Sequence, residues 1–318
     1  MERSQIEALA TQFIKGKIDF PEQVNPRVQE IVLRIVTDLM QTINDLKITA
    51  DEYWTGVAFI SDLGKEAGLL SPGLGFDHFM DLMIEEDLKA AGLDGGTIRT
   101  IEGPLYVAGA PEAKGFARLD DGTDLDNGTV LFMQGTVYDN DGKPLPNAKV
   151  EVWHANSLGN YSFFDESQSE FNLRRSIITD ENGNYAFRSI VPLGYSVPPD
   201  GMTQKVLGPL GRHGNRPAHI HFFASADGHR KLTTQINIDG DEYLWDDFAF
   251  ASREGLVPEV TMVEDADKLK EKALDKPYAS IDLDFHLVKD IDQNVKAVKS
   301  NVAVPKVNRG LLLDISSS

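Results

Sequence analysis

The sequence contains no cysteine, and that one absence removes disulfides, thiolate metal sites and cysteine nucleophiles together. Any metal bound here must draw on nitrogen and oxygen donors. No apolar run approaches the length of a membrane span. The start, Met1-Glu2-Arg3-Ser4-Gln5, has no basic-then-apolar leader pattern, so the expectation is a cytoplasmic protein without membrane insertion. Positive charge is scarce: 31 Lys and Arg against 50 Asp and Glu give a formal charge of -19. That charge repels phosphate backbones and anionic lipid, and argues against nucleic acid as a partner. With 41% hydrophobic and 25% charged residues over 318 positions, the chain is an ordinary globular one, long enough for a sizeable core. Asn127-Gly128-Thr129 fits the glycosylation triplet, but Asp126-Asn127-Gly128 reads as a turn.

Two kinds of periodicity divide the chain. Val28, Ile31, Val32, Ile35, Leu39, Ile43 and Leu46 recur at helical spacing, after Asn25 as cap and Pro26 as first residue. Thr49 and Glu52 form a capping box for a second helix with Tyr53, Trp54, Val57, Ile60 and Leu63 on its buried side. A third runs from about Phe76 to Ala91. Beyond Gly103-Pro104, glycine, proline and Asp-Gly pairs become frequent and helical spacing fades. From Val130 short strand-like runs alternate with turns such as Asp139-Asn140-Asp141-Gly142 and Asp180-Glu181-Asn182-Gly183. Val150, Val152 and His154 alternate with Lys149, Glu151 and Trp153, and Ile281, Leu283, Phe285 and Leu287 with Asp282, Asp284 and His286, as half-buried strands do. The expected fold is mainly β with an α-helical N-terminal domain: residues 1–103 helical, residues 104–318 a β-sandwich. The Ser316 to Ser318 end is expected to fray.

Candidate chemistry begins with His219 and His221. Two residues apart on a strand, they point to one face and can present both imidazoles to a single ion. Two histidines on the wet face of a strand would look the same. Further ligands would have to be carboxylates, tyrosines or the remaining histidines. Tyr161 and Tyr195 stand out, each following a strand-like run in a glycine-rich loop, Gly159-Asn160-Tyr161 and Pro192-Leu193-Gly194-Tyr195. His154, His213, His229 and His286 read as hydrogen-bonded or solvated, and Tyr106, Tyr138, Tyr185 and Tyr243 as packing residues. The pairs Asp241-Glu242 and Asp246-Asp247 lack the order of a calcium loop and read as solvated charge.

Taken together, these segments resemble the intradiol ring-cleaving dioxygenases, whose signature runs from a Val-Glu-Val strand, here Val150-Glu151-Val152, to Gly-x-Tyr, here Gly159-Asn160-Tyr161. The stretch from Leu210 to His221 and the helical N-terminal part resemble the catechol 1,2-dioxygenase branch. The resemblance implies one Fe(III) per subunit, held by Tyr161, Tyr195, His219 and His221, and no haem, nicotinamide or flavin. It implies cleavage of catechol by O2 to cis,cis-muconate, a step of aromatic degradation. Tyr195 doubles as a base in that scheme, Arg216 stabilises negative charge on the ring and Gln235 hydrogen-bonds an intermediate. By the same resemblance an apolar slot falls to Leu69, Pro72, Ile101, Pro104, Leu105 and Phe248, and the helical domain forms a homodimer that can hold a lipid. The plain alternatives are an ordinary ion pair for Arg216, a solvent-facing strand position for Gln235 and core packing for the slot residues.

Two other functions fit part of this pattern. A related intradiol enzyme preferring chlorocatechol or hydroxyquinol would share the iron residues and differ in the slot. A non-catalytic, transthyretin-like β-sandwich module for ligand binding would share the strands and turns, and leaves the two tyrosines, His-x-His and Arg216 without a common purpose.

Overall fold

A computed structural model describes residues 1–290 apart from 17, 19 and 127, and of Lys65 only the backbone. Asn127 of the expected turn and the Ser316 to Ser318 end lie outside the described residues. The chain divides into two compact units between Gly64 and Lys65. Helix gives way to strand later, beyond Gly103, as composition indicates.

The first unit holds three helices, α1 (Arg3–Lys15), α2 (Pro26–Leu46) and α3 (Ala50–Leu63). The Asn25 side chain accepts from the Arg27 and Val28 backbone amides, satisfying donors a helix start leaves open, and Pro26 needs no partner there. Lys47 closes α2 in the left-handed region, φ 55°. Thr49 and Glu52 form both halves of the capping box. α1 packs on α2 around Ile6, Ala10 and Thr37. The expected buried side of α3 is not buried: Tyr53, Trp54, Val57 and Ile60 are exposed, as are Val28, Ile31, Val32, Ile35 and Leu39 on α2. Apolar spacing marks a face that needs cover, and does not say that the same chain supplies it.

The second unit begins with α4 (Ala67–Gly73) and α5 (Phe76–Ala90), and continues into strands. These are β1 (Glu112–Lys114), β2 (Phe116–Arg118), β3 (Val130–Asp139), β4 (Lys149–His154), β5 (Arg174–Ile178), β6 (Asn184–Ile190) and the short β7 (Tyr195–Ser196). After α6 (Met202–Leu207) come β8 (Asn215–Arg216), β9 (His219–Ser225), β10 (Leu232–Asn237) and β11 (Thr261–Val263). Then follow α7 (Ala266–Glu271), β12 (Tyr278–Asp282) and β13 (Phe285–Leu287). One sheet runs β1-β5-β4-β9-β10; the other runs β11-β12-β3-β6-β2, with β13 also paired to β3; β7 and β8 form a separate ribbon. Among the described residues no helix is long and apolar enough to cross a membrane.

Alternation builds the core between the two sheets. Leu131, Met133 and Val137 of β3, with Phe187 of β6, meet Val150 and Val152 of β4, and Ile220, Phe222 and Ala224 of β9. The expected turns form as read: Gly142 and Gly183 both have positive φ, and the side chains of Asp139 and Asp180 each accept two backbone amides across their turn. The run from Ile281 to Leu287 is split. At the break the Leu283 carbonyl comes so close to Gly135 that a Cβ there would lie 1.6 Å from it, and the Asp284 carboxylate accepts from the Thr136 amide. Phe222 is fully buried against Phe187 and Phe285. Phe222→Ala should therefore lower unfolding free energy in denaturant titration by about 3–5 kcal/mol; a loss under about 1 kcal/mol would contradict this packing.

Candidate active site

The residue alternation that sends Ile220 and Phe222 into the core turns His219, His221 and Phe223 to the outer face of the first sheet. That face is not wet. Loops cover it, leaving His219 2% and His221 1% exposed. His221 sits in register between Trp153 of β4 and Gln235 of β10. The Trp153 indole lies flat on its ring, centroids 4.9 Å apart and planes 5° from parallel, which fixes the imidazole's orientation.

The two tyrosine loops close over this face because glycine lets them. Gly159 has φ +82°, and a Cβ there would meet the Gly194 carbonyl at 2.7 Å and the Tyr195 Cβ at 3.2 Å. A Cβ on Gly194 would in turn strike the Arg216 carbonyl at 2.4 Å. Asn156 shapes the first loop by accepting from the Leu158 and Asn160 amides. Tyr195 lies on β7, directly opposite Arg216 on β8. The result brings four candidate donors together. The Tyr161 hydroxyl is 3.3 Å from His219 Nε2, the Tyr161 and Tyr195 rings meet edge to face at 5.6 Å, Tyr195 is 5.5 Å from the His219 ring, and the two imidazoles are 4.8 Å apart. Tyr161 is buried and Tyr195 half-buried.

Hydrogen bonds settle the state of His219. Its Nδ1 lies 2.6 Å from the Pro217 carbonyl, which can only accept, so Nδ1 carries the proton and Nε2 offers a lone pair toward the other three rings. Arg216 Nη1 donates to that lone pair at 3.0 Å. Burial, with Arg216 adding to it, pushes the imidazole down to about 3. Burial and then His219 hold His221 well below its ordinary value. Burial and then Tyr195 hold the Tyr161 phenol well above its own. Burial therefore disfavours the charged forms of these three groups, two imidazoles and one phenol.

The Arg216 guanidinium is held through all three of its nitrogens. Nε and Nη2 grip the two Asp247 oxygens at 3.2 and 3.0 Å, and Nη2 also donates to Gln235 Oε1 at 2.8 Å. Burial is the largest influence and opposes the guanidinium's charge, but Asp247, Tyr195 and Tyr161 together outweigh it and raise the pKa. Burial likewise opposes charge on Asp247, and Arg216 outweighs it, holding the carboxyl below its usual range. Two sequence readings are corrected here. Gln235 is not on a solvent face but fully buried, because loops cover that side of β10. Asp247 is not solvated but a buried ion-pair partner that also accepts from the Ala249 and Ala251 amides. Asp241 holds the approach to the histidine strand by accepting from the Ala218 amide at 2.8 Å. Nothing in the run Trp245-Asp246-Asp247-Phe248 separates Asp247 from its exposed neighbour Asp246, since loops carry no periodicity.

The six slot residues fall into several places. Ile101 and Phe248 share a buried cluster with Val197 and Leu207, and Gly73, next to Pro72, lies against the Phe248 ring. Leu105 packs with Tyr161 and Trp153. Gly68, beside Leu69, comes against Pro104. Gly103, at φ +68°, places its backbone over His221, within 3.7 Å of the ring for any Cβ. The residues read as bystanders have other partners: His154 bonds through both ring nitrogens to Ala155 and Ser189, His213 faces Asp246, His229 donates to the Asp227 carbonyl and His286 stacks on Tyr138. Tyr106 packs on Trp153 and Phe223 and donates to Glu151.

Among the described residues no cluster of three or more His, Cys, Asp or Glu is placed to hold a metal. The donor set, two imidazole nitrogens and two phenols, suits a hard, highly charged cation able to draw the phenol protons off. His221 Nδ1 is buried without a hydrogen-bond partner, the kind of group a bound ion or water compensates.

Comparison with known proteins bears on the same segments. A family model described as the catechol dioxygenase N terminus matches residues 25–92, and one described as dioxygenase matches residues 101–290. The chain is 61% identical over 266 residues to catechol 1,2-dioxygenase 2 of Acinetobacter lwoffii, covering 83% of this chain and 95% of that one. It is 58% identical over 272 residues to catechol 1,2-dioxygenase of Acinetobacter baylyi, covering 84% and 87%. The crystal structure of wild-type Acinetobacter radioresistens catechol 1,2-dioxygenase superposes with a TM-score of 0.89 at 54% identity, covering 92% of this chain and 94% of that one. The chain belongs to the intradiol ring-cleaving dioxygenase family, in its catechol 1,2-dioxygenase branch.

Proposed function

We propose that this enzyme cleaves catechol between its two hydroxyl carbons with O2, giving cis,cis-muconate, at a ferric ion held by Tyr161, Tyr195, His219 and His221. The observation that carries the reading is the convergence of two phenols and two neutral imidazoles on one buried spot, with the Tyr161 hydroxyl 3.3 Å from His219 Nε2. Bound there, ferric iron supplies a Lewis acid for both catechol oxygens and draws electron density from the ring that dioxygen attacks.

The chain's own residues divide the remaining work. Tyr195, half-buried on a two-residue strand, is the donor better placed to let go and take a catechol proton; Tyr161, buried beneath it, is the one held. Arg216 carries a permanent positive charge in a water-poor setting, where it stabilises negative charge developing on the substrate ring. Nη1, which donates to the His219 Nε2 lone pair and not to Asp247 or Gln235, would be released for the substrate by a metal taking that lone pair. Gln235, oriented by Nη2, presents an amide beside His221. Leu69, Pro72, Ile101, Pro104, Leu105 and Phe248 exclude water and seat the aromatic ring. The exposed stripes on α2 and α3 serve as the contact between two copies in a homodimer, and their apolar character suits a lipid chain. Residues 1–103 would then be the assembly part and 104–318 the catalytic part.

Catechol supplied to the purified enzyme under 18O2 should give muconate carrying two labelled oxygens, one in each carboxylate; a product carrying one labelled atom, or ring opening outside the diol, would refute the reaction. Turnover of 4-chlorocatechol or hydroxyquinol well above that of catechol would reassign the substrate within the same chemistry. Arg216→Ala alone strands the Asp247 carboxylate in the interior, costing about 3–5 kcal/mol, so Arg216→Gln combined with Asp247→Asn is the cleaner variant. It should keep its iron and lose kcat by about 10²-fold or more; loss of iron instead would make the pair a metal-retention device. Sedimentation should give the mass of two chains, and a monomer at micromolar concentration would contradict the contact assigned to α2 and α3.

A further inference from the structure

Arg174, at the start of β5, is a second cation buried beside the candidate metal donors, 1% exposed. Its partners are all neutral: Nε donates to the Ser162 hydroxyl at 3.0 Å, Nη1 to the Leu105 carbonyl at 2.8 Å and Nη2 to the Ser162 carbonyl at 3.2 Å. Among the described residues no carboxylate pairs with it, in a chain where acidic groups outnumber basic ones by 50 to 31. Arg216 shows the contrast, since Asp247 balances its charge. A cation taken out of water without an anion is held at a high desolvation cost. Such a group is retained only if something nearby becomes negative or the fold needs its hydrogen bonds.

Tyr161 is a group beside it that can become negative. The Arg174 guanidinium carbon lies 5.6 Å from the centre of the Tyr161 ring, within the range where a cation interacts with an aromatic face. Its hydrogen bonds also grip the residue after Tyr161 and the Leu105 carbonyl, so charge and ring are held in one geometry by the same fork.

We infer that Arg174 is the positioning residue and countercharge for Tyr161, stabilising its phenolate when it serves as a metal donor and tying that donor to the Leu105 segment of the substrate slot. The inference rests on the reading of Tyr161 as a metal ligand. A phenolate facing a fixed cation is a weaker electron donor than a bare one, so Arg174 tempers the donation from the tyrosinate that stays while leaving Tyr195 free to exchange.

The test uses the full-length, iron-loaded enzyme. Arg174→Gln keeps an amide to bond Ser162 and Leu105 but removes the charge; Arg174→Lys keeps the charge and loses the fork. In Arg174→Gln the visible tyrosinate-to-iron absorption should move to longer wavelength, because the donor electrons of Tyr161 rise in energy, and iron should be lost to a chelator about 10-fold faster. Arg174→Lys should return the band most of the way to the wild-type position. An unchanged band in Arg174→Gln, or a shift in Arg174→Lys as large as in Arg174→Gln, would overturn the countercharge and leave Arg174 a structural tie. Tyr161→Phe separates the two readings: if it leaves the wild-type band intact, the ligand assignment of Tyr161 fails, whatever the Arg174 variants do.

Discussion

The Arg216–Asp247 pair is the interaction on which the candidate site depends. Two opposite charges, both buried, satisfy each other through a two-point grip, and the donors left over reach His219 and Gln235. Asp247 in turn fixes its own loop through the Ala249 and Ala251 amides. One ion pair thereby connects β8, the loop after β10, an imidazole whose lone pair faces the tyrosines, and a buried amide on β10. Breaking either partner would leave a charge in the interior, so the arrangement holds as a unit.

The sandwich supplies a floor rather than the site itself. Its interior is filled with apolar side chains from both sheets, and the candidate site sits on the outer face of the β4, β9 and β10 strands under loops. That placement explains the density of glycine near the tyrosines. Gly159, Gly194 and Gly103 lie where a Cβ would meet backbone, the base of a tyrosine or an imidazole. Loops can then close tightly enough to keep water from groups whose neutral forms burial favours, which is the condition under which a bound cation can decide their protonation.

The sequence was legible where periodicity or cap chemistry speaks. Asn25 and Pro26, the Thr49–Glu52 box, the turns at Gly142 and Gly183 and the shared face of His219 and His221 all appear in the structure as read. The family motif drew Tyr161, Tyr195, His219, His221, Arg216 and Gln235 into one group, and the structure brings their side chains together. Burial was the weaker reading. Asp247 was hidden in an acidic loop, Trp153 looked like one more outward strand residue, and Arg174 sat beside Arg175 with nothing to show that only the first is buried among neutral partners. The α3 stripe erred the other way, because helical spacing reports an apolar face and not what covers it. Side-chain partners across loops are long-range facts, and a single sequence carries little trace of them.

The central claim is that both tyrosines bind the metal as anions beside two neutral imidazoles. Resonance Raman spectroscopy of the purified enzyme, excited in its visible absorption, tests this most directly. Enhanced ring modes from two distinct tyrosinates, one set of which disappears when catechol is added without oxygen, are predicted. A colourless protein, or bound iron whose spectrum shows no tyrosinate modes, would contradict the account.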